Sequence, residues 1–144
     1  MNTTMLSPDY QSVATLVPQT QTTAAAFNGT GVDVSPFRTK DLAIHVMAPV
    51  ASTADTITFT VEHSDNASTS FGAVTAGDLV DRDGTASTFT VVTAAVAVDE
   101  ILFLKKTGDL KRYVRVVATT AGATIVVYFA ATISGLYEYT EEGS

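Results

Sequence analysis

Residues 111–134 form two β-branched, aromatic-rich runs separated by Thr119, Thr120, Ala121, Gly122 and Ala123, and their period fits no helix. In the first run Arg112, Val114, Val116 and Ala118 share one face, and Tyr113, Arg115, Val117 and Thr119 share the other. In the second, Ile125, Val127, Phe129, Ala131 and Ile133 alternate with Val126, Tyr128, Ala130 and Thr132. Strict alternation is the mark of a strand with one face buried. A short linker containing Gly between two such runs predicts an antiparallel hairpin. As the best-patterned pair in the chain, it is the expected centre of a β-sheet protein.

The remaining sequence carries the same period in shorter pieces. Over 41–48, Leu42, Ile44, Val46 and Ala48 oppose Ala43, His45 and Met47, and Pro49 ends the run. Over 56–62, Ile57, Phe59 and Val61 point one way and Thr56, Thr58, Thr60 and Glu62 the other. Shorter strands are expected at 22–27, 32–34, 71–75, 87–92 and 100–105. Turns are expected at Asn28-Gly29, at 64–68 and at 107–109, with a long loop over 75–86. Residues 1–20 hold Pro8 and Pro18 and read as an extended arm with a short strand near 13–17. Its apolar residues Met5, Leu6, Tyr10, Val13, Leu16 and Val17 predict docking on the domain or on a neighbour. No segment has a helical period, and no repeat of fixed length appears. The expectation is an all-β chain: one antiparallel β-sandwich or jelly roll of about eight strands over 21–136, an extended N-terminal arm over 1–20 and an acidic tail over 137–144.

A chain of 144 residues with 46% hydrophobic content can bury one core. Only 16% of residues are charged, so Thr and Ser solvate much of the surface. The net charge of −7 argues against binding to nucleic acid, which needs cations facing phosphates. The absence of Cys excludes a disulfide framework, a thiolate metal site and a Cys nucleophile. The N-terminal residues lack the basic and apolar regions of a secretory signal, and no apolar run reaches the ~18 residues of a membrane helix. The expectation is a soluble protein made in a cytoplasm.

Candidate chemistry is sparse. His45 lies mid-strand and His63 closes a strand beside Glu62; both read as structural or surface histidines rather than catalytic bases. Asp78, Asp81, Asp83 and Gly84 resemble a cation loop in composition, but the EF-hand spacing is absent and Arg82 lies among the acids. A solvated loop is the better reading. Lys105, Lys106, Lys111, Arg112 and Arg115 form the one basic cluster, which either solvates strand ends or docks on an acidic protein surface. No enzyme activity, cofactor or metal is expected.

Val61-Glu62-His63-Ser64-Asp65-Asn66 with Phe71, then Lys111-Arg112-Tyr113-Val114-Arg115, then a strand ending Ala130-Ala131-Thr132-Ile133, resembles the capsid decoration (cement) proteins of tailed bacteriophages. The resemblance spans about residues 40–134. It implies a jelly-roll or β-sandwich protein on the outer capsid surface of the virion, a homotrimer that binds the major capsid protein and holds capsomers together. It supplies no catalytic residues. The expected partner contacts are Leu6, Tyr10, Leu16 and Val17 of the arm, and Lys106, Lys111, Arg112 and Arg115 of the basic cluster. A carbohydrate-binding or host-attachment module, and a tail-tube or connector component, are the alternatives.

Overall fold

Wherever the sequence alternates, the backbone is extended, and the apolar positions of each strand turn toward one shared layer. The computed structural model describes residues 10–38, 41–52, 54–122 and 126–136, with the side chains of Tyr10 and Leu136 left aside. Among the described residues there are ten strands: β1 (Tyr10–Gln21), β2 (Ala26–Asn28), β3 (Val32–Asp33), β4 (Asp41–Ala48), β5 (Thr56–Ser64), β6 (Gly72–Ala73), β7 (Leu79–Val80), β8 (Val98–Lys105), β9 (Tyr113–Ala121) and β10 (Val127–Leu136). They build two antiparallel five-stranded sheets, one ordered β1-β10-β4-β8-β7 and the other β2-β9-β5-β6, with β3 also on β9. This is a β-sandwich with jelly-roll connectivity, because the chain keeps crossing between sheets as it advances. The count exceeds the expected eight because β2 and β3 lie end to end along one edge of β9 and β7 is a short addition.

The core is the layer between the sheets. Ile44, Val46, Leu102, Leu104, Phe129 and Ile133 face Ile57, Phe59, Val114, Val116 and Ala118. Four phenylalanines cross it: Phe129 of one sheet meets Phe27 at 5.8 Å and Phe59 at 6.3 Å, and Phe59 meets Phe89 edge-on at 6.4 Å. Tilted and edge-on rings of this kind add to the stabilisation from burial.

The expected 111–134 hairpin does not form. Its two strands have the expected faces, but β9 pairs with β2, β3 and β5, and β10 pairs with β1 and β4. β9 ends at Ala121 on one sheet and β10 begins at Val127 on the other, so the two runs are not neighbours in a ladder. The chain leaves β9 at Gly122, whose φ of +144° suits glycine, against the buried Asp55 carboxylate. Asp55 accepts a bond from Ser52 Oγ and one at 3.4 Å from the Val126 amide that opens β10. A hairpin and a sheet-to-sheet crossing present the same local sequence.

Of the stretch expected as an arm, residues from Tyr10 onward are an edge strand on β10, while residues 1–9, like the tail 137–144, lie outside the described residues. Register shifts fall between Ala14 and Leu16 and between Leu16 and Gln19, so Pro18 sits where the ladder is already irregular. The shift also decides burial: Leu16 is 2% exposed and Val17 60%. The expected strand at 87–92 contributes only an isolated bridge, Val92 to Ile57.

One joint ties β1 to the opposite sheet. Thr15 is buried; its hydroxyl accepts from the Val116 amide at 3.1 Å and donates to the Thr30 carbonyl at 2.9 Å. Gly29 donates to the Val116 carbonyl at 2.9 Å, and Thr30 donates to the Thr15 carbonyl at 2.7 Å. A Cβ at Gly29 would stand 2.5 Å from the Val116 carbonyl oxygen and 2.8 Å from that of Thr15, both backbone atoms that cannot swing away. Urea unfolding should therefore show Gly29→Ala destabilised by about 2–3 kcal/mol. Thr15→Val, which leaves the Val116 amide buried without a partner, should lose about 1–3 kcal/mol. Gly108→Ala, with open space around the added carbon, should change stability by less than about 0.5 kcal/mol.

Candidate interaction surfaces

Two of the three pieces of sequence that carried the resemblance, 61–71 and 111–115, come together on the outer face of the β9 sheet, and the third, 130–133, lies on β10 of the other. Arg115 pairs across the ladder with Glu62 of β5, its Nη2 2.6 Å and its Nε 2.8 Å from Glu62 Oε2. The guanidinium stacks on Phe71 at 4.1 Å. The Ser64-to-Phe71 turn places that ring there. Ser64 Oγ donates to the Thr69 carbonyl at 2.6 Å, and Asn66 Oδ1 accepts from the Ser68 and Thr69 amides. Asx and Ser side chains closing their own turn in this way fix a loop without any core of its own.

The basic cluster is largely satisfied within the chain. Arg112 donates to Asp33 Oδ2 through Nη2 at 2.9 Å and Nε at 3.2 Å, and lies 5.3 Å from the Tyr113 ring centroid. Lys106 Nζ donates to the Phe37 carbonyl. The hydrogen bond from Arg112 holds the Asp33 carboxyl well below its ordinary value of 3.8, at about 2, and Ser35 adds two further donors. Lys111 keeps an exposed side chain, while its amide donates to His63 Nδ1 at 3.3 Å. Burial, with the nearby Lys111 charge, pushes the His63 pKa down. Of the expected contact residues, Leu16 is in the core of its own chain, because the β1 register shift turns it inward. Val17 is exposed, Tyr10 is known by its backbone pairing with Leu136, and Leu6 lies outside the described residues.

The acidic loop is closed on itself. Asp81 Oδ1 accepts from the Asp83 amide at 2.9 Å and the Thr85 amide at 3.0 Å. No cluster of three His, Cys, Asp or Glu able to hold a metal occurs among the described residues. His45 Nε2 contacts Asp99 Oδ1 at 2.5 Å on the outer face of the other sheet.

That face is the feature the sequence reading passed over. Its rows, read across β10, β4 and β8, are Ser134-Ala43-Phe103, Thr132-His45-Ile101 and Ala130-Met47-Asp99. On it Asp41 lies across from Lys105, and His45 contacts Asp99. Ile101 is 49% exposed and Tyr128 51%. Beside Tyr128, a shallow groove of about 700 Å³ runs past Pro18, Thr20, Met47 and Asp99. The available signal was in β8, where Ile101 and Phe103 put apolar side chains on the face opposite Leu102 and Leu104.

No protein-family model matches the sequence, and no curated protein is significantly similar to it. Among solved structures, the crystal structure of SPBc2 prophage-derived protein YomS is similar, at 12% identity and a TM-score of 0.46, over 90% of this chain and 96% of that one. A likeness at that level carries no information about function.

The Asp33–Arg112 pair has a pH signature. The folded carboxyl titrates at about 2 against the ordinary 3.8. What the pair contributes is therefore fully present above pH 3.8 and is lost as pH falls through about 2. A carboxyl-carbon NMR titration should place Asp33 at about 2, and in Arg112→Ala its midpoint should return toward 3.8. A midpoint that stays put in the variant would remove Arg112 as the cause.

Proposed function

We propose that this chain is a non-enzymatic virion structural protein, a capsid decoration protein that binds the major capsid protein and stabilises contacts between capsomers. The observation that carries the binding role is the outer face of the β1-β10-β4-β8-β7 sheet, where Ile101 and Tyr128 stand half exposed on the same face as Met47 and Phe103. Exposed apolar side chains grouped on one sheet face mark protein contact sites. The capsid assignment rests on the resemblance in the 61–71 turn and the 111–115 strand. Arg112 and Arg115 are assigned an architectural part: they hold the β3 and β5 neighbours and the Phe71 turn in place. The trimeric state and the outer-surface location belong to the same proposal.

A second reading has one observation in its favour. Tyr128 stands half exposed in a groove beside Asp99 and Gln19, an aromatic platform with polar rims of the kind that takes a sugar ring.

Co-sedimentation with expanded capsids separates the two. The double variant Ile101→Lys and Tyr128→Lys should weaken capsid binding by about tenfold or more, as loss of central interface residues does. Lys111→Glu should change it by less than about twofold, as rim charges do. Capsid binding that survives the double variant would overturn the assigned face. Glycan-array binding with no retention on capsids would favour the second reading.

A further inference from the structure

The edge of β5 is covered at both ends and bare in the middle. At one end Ile57 exchanges both backbone bonds with Val92, at 2.9 and 3.1 Å. At the other, β6 pairs at Glu62 and His63, and the Val74 amide donates to the Val61 carbonyl at 3.2 Å. Ladder groups alternate sides along a strand. Phe59 therefore points its N–H and C=O at the same edge as Ile57 and Val61. No backbone partner for them occurs on that edge among the described residues. The segments after Val74 and before Val92 diverge here and leave an open notch of about 740 Å³ walled by Val74, Leu79, Ser87, Phe89 and Val91. None of its lining residues carries a charge.

We propose that this notch takes residues 3–7 (Thr3, Thr4, Met5, Leu6 and Ser7) of a second copy of the chain as an added strand. An extended segment entering a bare edge gains main-chain bonds, here to Phe59, and seats alternate side chains in the walls. Charge chooses between the two terminal segments outside the described residues. Residues 137–144 carry Glu138, Glu141 and Glu142, which an uncharged notch disfavours. Residues 1–8 carry no charged side chain and offer Met5 and Leu6.

Reach decides that the segment comes from another copy. β1 runs alongside β9 in the same direction, with Thr15 bonded at Val116 and the carbonyls of Thr23 and Ala25 bonded at Thr120. Tyr10 precedes Thr15 by five residues, and Phe59 lies opposite Ala118, two residues past Val116. The offset along the strand axis is seven residues, about 23 Å at ~3.3 Å each. Fully extended, the three steps from Ser7 to Tyr10 span about 11 Å and the five from Met5 about 18 Å, both short of that offset. The proposal supplies a contact for the trimeric state proposed above and rests on that part of the reading alone; binding to the major capsid protein is read separately by co-sedimentation of the Ile101→Lys and Tyr128→Lys variant.

The test uses the full chain. Sedimentation across a concentration series should show self-association, and amide exchange at Phe59 should slow by more than about tenfold in the associated form. The variant Met5→Lys with Leu6→Asp should abolish both. Because the chain has no Cys, a Met5→Cys chain mixed with a Thr58→Cys or Thr60→Cys chain should oxidise to a disulfide-linked pair. The same mixture with Asn28→Cys, on the opposite edge of that sheet, should not. The proposal is overturned by association that survives Met5→Lys with Leu6→Asp, by Phe59 protection in a monomer, by a monomer at every concentration, or by cross-linking to Asn28→Cys alone.

Discussion

The two sheets hold together through a single layer of side chains, and Phe129 stands at its middle. It projects from β10 onto Phe27 and Phe59 of the facing sheet, and Phe59 passes the contact to Phe89 in the segment that walls the other side. Burial of rings this size is the largest single contribution a residue makes in such a core. The inward alternation of each long strand is obligatory because a one-residue slip would turn its apolar set to water. The Thr15 joint and the Asp55–Gly122 crossing do a different job. They spend hydrogen bonds at the margins of the layer to fix where the chain passes from one sheet to the other.

That division explains what could be read from the sequence. Alternation is local, so the faces of Ile57, Phe59 and Val61, of Leu42, Ile44 and Val46, and of Val127, Phe129 and Ile133 are visible in the residues themselves. Pairing is not local. The runs 111–119 and 125–134 look like hairpin strands because the linker between them is short and holds a glycine. Only the positions of β5 and β4 show that each run already has other neighbours. Similarly, Asn28-Gly29 has the composition of a tight turn. Its glycine is needed instead for the approach of Val116 and Thr15, more than a dozen residues away in the chain or on another strand altogether.

The partners of the basic cluster are non-local in the same way. Lys106, Lys111, Arg112 and Arg115 are neighbours in sequence and read as a positive patch. Asp33 and Glu62, which neutralise the two arginines, are 79 and 53 residues distant. A cluster of cations in a chain of net charge −7 is as apt to be an internal brace as a docking site, and pairing distances decide which. The converse held on the other sheet, where no motif drew attention to Ile101, Phe103, Met47 and Tyr128. Their common face exists only once β8, β4 and β10 are laid side by side.

The two surfaces proposed for contact do not compete for the same groups. The apolar face belongs to β10, β4 and β8, whereas the notch lies on the edge of β5 in the facing sheet. A strand added to β5 would extend its sheet sideways and leave the outer face of the other sheet open. Copies joined through the notch would then present several apolar faces at once. A linked set of modest faces binds a repetitive surface far more tightly than any one of them, provided the spacing of the copies matches the spacing of the sites. Under that geometry the edge contact, which supplies few hydrogen bonds, governs the avidity of the whole assembly, and the sheet face supplies the energy at each site.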